Sequence, residues 1–325
     1  MTERARVSAL VPWRDQRIEV DPPEGYWAFN PSIVRMPDDR LLCAVRCANY
    51  HRTMGLRLPS AITNRNFILE LDPITLRIAK SIEIEDCDSR PKMPSRIVGH
   101  DDLRLAWTKR DGLVAIANTA HYSANGHKRD MVVLDLDARY RIVSSTPLQG
   151  AWTGHQKNWS PFVGTSELLL AYSVERGGLH TRDGRIAHLH GLDRMGLRGG
   201  SQLVPLGPNR WLGIAHGVDD HRSAHRNDAK PSGARRVYWH VWYVTDDRAR
   251  IFGLSRPFKL CDAPIEFAAG LTIDPDTGRV IVSYGVEDDH AMLGITELDA
   301  VLATIDARTD ALLAQFMSAR VRENA

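Results

Sequence analysis

The chain has 325 residues, 43% of them hydrophobic and 25% charged. These are the proportions of a globular protein, long enough for one large domain or two ordinary ones. A net charge of +2 with His neutral argues against nucleic acid or an acidic lipid surface as the main partner, and no apolar run approaches bilayer length.

Met1–Pro12 lacks the apolar core of a signal peptide, and the four cysteines, Cys43, Cys47, Cys87 and Cys261, are too scattered for a disulfide framework. A reducing cytoplasm is therefore expected. Cys43 and Cys47 sit in an apolar run with no zinc-spaced partner and read as core residues.

From Tyr26 onward the chain reads as short strands separated by turn residues. Ser32–Met36 and Leu41–Ala48 flank Pro37-Asp38-Asp39-Arg40. Phe67–Leu71 and Ile78–Ile84 follow, then Leu103–Trp107, Leu113–Thr119, Met131–Leu136 and Arg141–Ser145. Ser160–Val163 and Leu168–Val174 flank Gly164-Thr165-Ser166-Glu167. Ser201–Pro205, Trp211–His216, Val237–Val244 and Phe252–Leu254 form the next group, and Gly270–Ile273, Val280–Tyr284 and Met292–Thr296 the last. His51–Thr63 and Asp219–Arg235 read as long loops.

These strands fall into about five sets of roughly fifty to sixty residues, without alternating long helices. The pattern predicts an all-β five-bladed β-propeller with a short C-terminal helical segment; a sandwich with a second domain is the alternative. The expected division is an N-terminal extension over 1–25, the propeller over 26–297, and a helical segment over 298–325 packed outside it. Leu298, Val301, Leu302 and Ile305, then Leu312, Leu313, Phe316 and Met317, recur at helical spacing. A contact between two copies through this segment stays open.

Each strand group carries a polar residue that a core does not need. Asn30-Pro31-Ser32 precedes the first strand. Arg46 ends an apolar run and is expensive to bury unpaired. In Gly99-His100-Asp101-Asp102-Leu103-Arg104, alternation on a strand puts Asp102 and Arg104 on one face and Asp101 on the other. That arrangement suits an acid catalyst or a ligand of sugar hydroxyls; a salt bridge fastening a strand end is the commoner use of such a pair. His155-Gln156-Lys157-Asn158-Trp159-Ser160-Pro161 sets donors and an aromatic at a strand start. His216 closes its strand, Tyr238, His240 and Trp242 share a face, Glu266 stands in an apolar run, and Asp288 follows the strand ending in Tyr284. His188-x-His190 is the best local metal pair, but no partner stands at a diagnostic spacing, so neither a metal nor another cofactor is expected. No phosphate-cradling glycine loop and no Gly-x-Ser-x-Gly elbow is present.

These segments resemble the five-bladed propeller of glycoside hydrolase family 130, the β-mannoside phosphorylases and their relatives, and are nearer to bacterial members associated with glycosyltransferases. Asn30-Pro31-Ser32-Ile33 is similar to the family's opening Asn-Pro segment, and Arg46 to the arginine ending its hairpin. Asp101-Asp102-Leu103-Arg104 resembles the Glu-Asp-x-Arg motif, with Asp102 matching the catalytic acid and Asp101 replacing the usual Glu. Lys157 is similar to a lysine on the anion side, and Ala215-His216-Gly217 to a Tyr-His-Gly segment whose histidine helps bind phosphate. Ile265–Gly270 resembles a Val-Phe-Pro-Cys-Gly segment, and Ser283–Asp288 a Tyr-Tyr-Gly-Ala-Ala-Asp segment.

The resemblance implies inverting glycosyl transfer with Asp102 as acid and a phosphate or a nucleotide sugar as partner of a carbohydrate substrate. Lys157, His216 and His240 would hold the phosphate group, and Asn30, Arg46, Asp101, Arg104, Trp159, Tyr238 and Tyr284 the sugar. An inverting hydrolase would need a base about 6.5–9.5 Å from the acid, for which Glu266 and Asp288 are the candidates. A sugar-binding propeller without catalysis is the competing class. Arg104 beside Asp102 would lower its pKa, whereas a general acid needs it raised.

Overall fold

The computed structural model describes residues 4–50, 59–122, 128–148, 156–171, 179–182, 184, 186–187, 196–221 and 235–306. Alternating apolar and polar residues between tight turns give antiparallel sheets, and the chain folds into five of them.

The first blade runs outward from Trp27–Arg35 through Leu41–Ala48 and Ile62–Leu71 to Ile78–Glu83, with Ile97–Val98 added in parallel to the third strand. Asp101–Thr108, Gly112–Thr119, Asp130–Leu136 and Ile142–Pro147 form the second. Ser160–Pro161, Leu169–Ala171, Leu179–Thr181 and Ile186–Ala187 form the third. In the fourth, Arg198–Gly199 and Val204–Gly207 both pair with the long strand Arg210–His221, followed by Arg235–Thr245, Ile251–Ser255 and Ile305–Asp306. The fifth comprises Glu266–Ile273, Arg279–Val286 and His290–Glu297, and its outermost strand is Arg14–Arg17.

The five-bladed architecture expected from the strand groups is thus the observed fold. Two details differ. Part of the expected N-terminal extension is a strand of the last blade, with Arg14 opposite Ile295 and Arg17 opposite Met292. The Trp13 ring fills the space over Gly294, where any side chain would collide with it. At the other end, one helix, Leu298–Ala303, is followed by the short strand Ile305–Asp306, because Ile305 and Asp306 meet the free edge of Ile251–Ser255. Residues 312–317, Val174, His155 and the His188-x-His190 pair lie outside the described residues. Of the two expected loops, residues 219–221 and 235 extend strands, and 51–58 and 222–234 lie outside the described residues.

Apolar side chains fill the blades and the spaces between them, with Trp159, Trp242, Phe29, Phe162 and Phe258 fully buried. The innermost strands have no neighbour toward the axis, so their free backbone groups turn to side chains of adjacent blades. Leu105 N–H donates to Ser32 Oγ (3.1 Å) and Ile33 N–H to Ser283 Oγ (3.0 Å), while that hydroxyl donates to Pro31 C=O (2.6 Å). Gln202 of the fourth blade donates to Ile33 C=O and accepts from Leu271 N–H (3.1 Å), tying three blades together.

Gln202 is fully buried, so Gln202→Leu leaves both backbone groups without a partner. We expect a loss of about 3 kcal/mol in urea unfolding, in line with the cost of two buried unsatisfied groups.

Candidate functional site

Three innermost strands carry the same local device, within the strand at Asn30 and Asp102 and just before it at Asn158. Asn30, Asp102 and Asn158 adopt left-handed backbone conformations (φ +49°, +50° and +61°), which short side chains with an amide or carboxylate tolerate best. The strand register slips at the first two, between Phe29 and Ser32 and between Asp101 and Arg104. Such a bulge breaks the two-residue alternation. The face assignment expected for the Asp101–Arg104 segment therefore fails. Asp101 and Asp102 both turn to Arg46, and Arg104 departs in a different direction.

Arg46 is the hub. It lies in a strand buried along its whole length and is 5% exposed. Its guanidinium reaches Asp102 Oδ1 at 3.0 Å, Asp101 Oδ1 at 3.3 Å, Asn64 Oδ1 at 2.7 Å and Tyr50 Oη at 3.1 Å, and lies 5.0 Å from the Phe29 ring. Burial opposes its charge, but Asp101 and Asp102 outweigh burial and hold its pKa well above the usual value. Asp101 is further bound by Asn64 Nδ2 (2.8 Å) and Arg129 Nε (2.7 Å). It is fully engaged and almost inaccessible, with its side chain 4% exposed against 18% for Asp102.

Asp102 accepts a further bond from Asn30 Nδ2 (2.8 Å). Burial pushes its pKa up, but Arg46, Asn30 and the more distant Arg104 outweigh burial and bring it down to about 2. At neutral pH Asp102 is a carboxylate.

Lys157 is solvent-exposed yet ringed by protein. That surrounding protein and Arg129 lower its pKa, while Asp102 and Asp101 pull it back up, so all four groups share one neighbourhood. Burial raises the Tyr50 phenol to about 12 and also raises that of Tyr238; both feel the charges of Asp288 and Asp102. Asp288 follows Glu287 in a turn where both have φ of +55°. Glu287 clips that turn to Ile265, accepting its N–H at 3.0 Å and returning a backbone bond of 3.0 Å.

The structure thus gathers Asn30, Arg46, Asp101, Asp102, Lys157, Tyr238 and Asp288. His216 is 2% exposed and stacks on Tyr238 at 5.6 Å. Burial, His240, Arg198 and Arg104 hold its pKa well below the ordinary value, so it offers a neutral imidazole rather than a cation.

Other expected site residues lie in the interior. Trp159 is 1% exposed and packs on His180, so no ring face is available for a sugar. Tyr284 is also buried, and its hydroxyl donates outward to Asp15 Oδ1 of the closing strand (2.7 Å). Arg104 is completely buried, donating to Gly200 C=O (2.6 Å) and Asn158 Oδ1 (3.1 Å); burial lowers its pKa to about 10 against the pull of Asp102. It pins three blades together. Glu266 is fully buried, and its oxygens accept Leu260 N–H (2.7 Å), Cys261 N–H (2.8 Å) and the Cys261 thiol (3.2 Å). His240, also fully buried, spans Glu266 Oε1 (3.4 Å) and Ala268 N–H (3.3 Å). Both belong to the junction between the fourth and fifth blades.

Sequence reasoning passed over Tyr50, Asn64, Arg129 and Glu287. One signal was visible: Asn30-x-Ser32 and Asn158-x-Ser160 repeat at strand starts, with Asp102-x-Arg104 between them. Among the described residues no group of three or more His, Cys, Asp or Glu could hold a metal ion, and no helix is long and apolar enough to cross a membrane.

No described family and no curated protein matches the sequence. Solved structures do match in fold. A β-1,2-mannobiose phosphorylase from Listeria innocua is 12% identical, with a TM-score of 0.54 over 90% of this chain and 99% of that one. A mannose phosphorylase from Leishmania mexicana, solved with a phosphate ion, is 11% identical, with a TM-score of 0.54 over 86% and 87%. A GDP-Man-dependent mannosyltransferase from the same organism is 9% identical, with a TM-score of 0.54 over 87% and 90%. At these identities the likeness is one of fold.

The depressed pKa of Asp102 has a consequence for stability. Its folded value lies below the unfolded one, so the carboxylate stabilises the fold above about pH 4, and this contribution, about 2 kcal/mol, is lost as pH falls toward 2. Urea unfolding at a series of pH values should show the wild type and Asp102→Asn differing at pH 6 and converging in acid. A constant offset between the two would contradict the assignment.

Proposed function

We propose that this propeller is a carbohydrate-active enzyme that transfers a glycosyl group to or from a phosphate-type partner at the Asp102 site. One observation carries the reading. A partly accessible carboxylate, Asp102, is held by Arg46 and coupled to Lys157, and Arg129 is paired with the adjoining Asp101, so a carboxyl group able to move a proton and cations able to attract an oxyanion share a neighbourhood. The phosphorylases and the mannosyltransferase of like fold point the same way.

The low pKa of Asp102 shapes the mechanism. As a carboxylate it has no proton to give. Phosphate entering beside Arg46, Arg129 and Lys157 would offset the cations that hold that pKa down. The same cations favour loss of a phosphate proton. Asp102 then takes this proton and delivers it to the glycosidic oxygen, directly or through a sugar hydroxyl. A phosphate oxygen attacks the anomeric carbon as the carbon–oxygen bond to the leaving group breaks. The products are a sugar 1-phosphate and the free alcohol, and the proton lost by phosphate ends on the alcohol. The anion thus serves as both nucleophile and switch for the acid.

A nucleotide sugar as partner is the second reading. Strand register places Arg198, His216, Tyr238 and Arg236 on one face of the fourth blade. Arg198 and Arg236 are exposed, and both act on the Tyr238 phenol. These cations extend the positive surface beyond what a single phosphate needs. Hydrolysis is less favoured, because the oxygens of Glu266 are committed to Leu260 and Cys261, leaving Asp288 as the candidate base.

The test is a panel of sugar 1-phosphates, nucleotide sugars and aryl glycosides, with and without phosphate, read by mass spectrometry. New glycoside or sugar phosphate should form only with phosphate or a nucleotide sugar. Asp102→Asn should lower turnover by about 10²–10⁴-fold with the fold intact, and Lys157→Ala should mainly raise KM for the anion. Full activity of Asp102→Asn would overturn the assignment. Sugar release without phosphate would make Asp288 the base of a hydrolase. Sugar binding that survives Asp102→Asn, with no product from any donor, would make the protein a binding module.

A further inference from the structure

The fourth blade is distinguished by a long hairpin, Arg210–His221 paired with Arg235–Thr245. His216 faces His240 and Val218 faces Tyr238, so one side of the hairpin carries the His216–Tyr238 stack. Gly217 faces Trp239 and Asp219 faces Val237, and these lie on the other side. The front thus presents site residues, while the back presents an indole and a carboxylate.

An arm from the start of the chain covers that back. The Arg4 guanidinium lies 4.7 Å from the Trp239 ring and forms an ion pair with Asp219, whose Oδ1 also accepts Trp239 Nε1–H at 3.1 Å. The Trp239 ring lies directly on Gly217, where an added Cβ would come within 2.1 Å of it. The indole is therefore held between Gly217 beneath and Arg4 above. The arm itself is fixed: Lys259 N–H donates to Ala5 C=O (3.0 Å), Val7 N–H donates to Lys259 C=O (2.7 Å), and Val7 is fully buried. Phe258, next to Lys259, exchanges two backbone bonds with His240 (2.8 and 2.9 Å).

We propose that Arg4 is a positioning residue for the site: by clamping Trp239 and Asp219 from behind, it fixes the two-residue steps 216–217 and 238–239 and so sets the His216–Tyr238 stack on the front. The consequence for catalysis rests on the reading of the site given above. The clamp combines a cation over an indole with a charge pair on the same carboxylate, and each element orders the next. A plain surface ion pair would influence neither the front of the hairpin nor the substrate.

The experiment compares Arg4→Ala, Arg4→Lys and, as a control on the same arm, Arg6→Ala, which removes only contacts of an exposed guanidinium to Asp262 and Asp15. Amide hydrogen exchange, Tm and steady-state kinetics are measured on the full chain. Arg4→Ala should speed exchange around Val237–Val241 by about tenfold, the scale of a lost partly buried cation–aromatic contact, with the other blades unchanged. KM for phosphate, or for the nucleotide sugar, should rise by a similar factor while kcat changes less. Arg4→Lys should restore part of both effects, and Arg6→Ala should show neither. Unchanged hairpin exchange in Arg4→Ala would overturn the proposal. So would exchange raised equally in all blades with a lower Tm, or raised hairpin exchange with an unaltered KM. If the wild-type protein transfers no glycosyl group, the reading of the site falls, and the exchange data still decide whether Arg4 orders the hairpin.

Discussion

The structure depends on a constraint at its axis. Each blade pairs its strands outward, and the innermost strand of each is left with an edge that no strand covers. In most proteins such an edge faces water or a neighbouring chain. Here the edges converge, and side chains from adjacent blades complete them: Ser32 for Leu105, Ser283 for Ile33 and Pro31, Gln202 for Ile33 and Leu271, and His240 for Ala268. Apolar packing brings the blades together. These directional bonds determine which backbone groups meet, and hence the order and height at which the inner strands present their first residues.

The site is built on those first residues. A left-handed Asn or Asp at a strand mouth turns a polar side chain out of the sheet, and the bulge lets Asp101 and Asp102 converge on a single guanidinium. Two adjacent carboxylates would repel one another strongly without it. Arg46, with Asn64 and Arg129 on one side and Asn30 on the other, makes the pair unequal. Asp101 is the more buried and the more heavily bonded, whereas Asp102 retains an accessible edge. The same residue type is therefore a closed foundation at one position and an accessible carboxylate at the next.

The blades were legible in the sequence because strand alternation and turn residues are local signals, and the polar residues stood out because an apolar run has no use for them. Arg46, Asp102 and Lys157 stand out in this way, and the fold brings them into one neighbourhood. What alternation could not convey is a bulge. It treats Asp101 as facing away and pairs Asp102 with Arg104, whereas the register slip sends Arg104 into the interior to hold Gly200 and Asn158. Aromatic residues posed a different difficulty. Trp159 and Tyr284 have the composition of sugar platforms, but composition does not say which side of a strand is covered, and both are buried, Trp159 against His180 and Tyr284 with its hydroxyl on Asp15. Asn64 and Arg129 were missed because each contributes through a contact made only after distant parts of the chain meet, and Tyr50, four residues from Arg46, because nothing local says that its hydroxyl meets that guanidinium.

Ring closure carries a consequence for how the chain reaches this state. The strand that completes the last blade, Arg14–Arg17, pairs with His290–Glu297, so Arg14 meets Ile295 across nearly the whole sequence. Until that pairing forms, one edge of the last blade is open and Gly294 lacks the Trp13 ring that covers it. A contact of such long sequence separation forms late and slowly. Without the first segment the last blade keeps an open edge, and such an edge is where a second copy can insert its own strand. The strand that completes the ring thus also guards its open edge against misassembly.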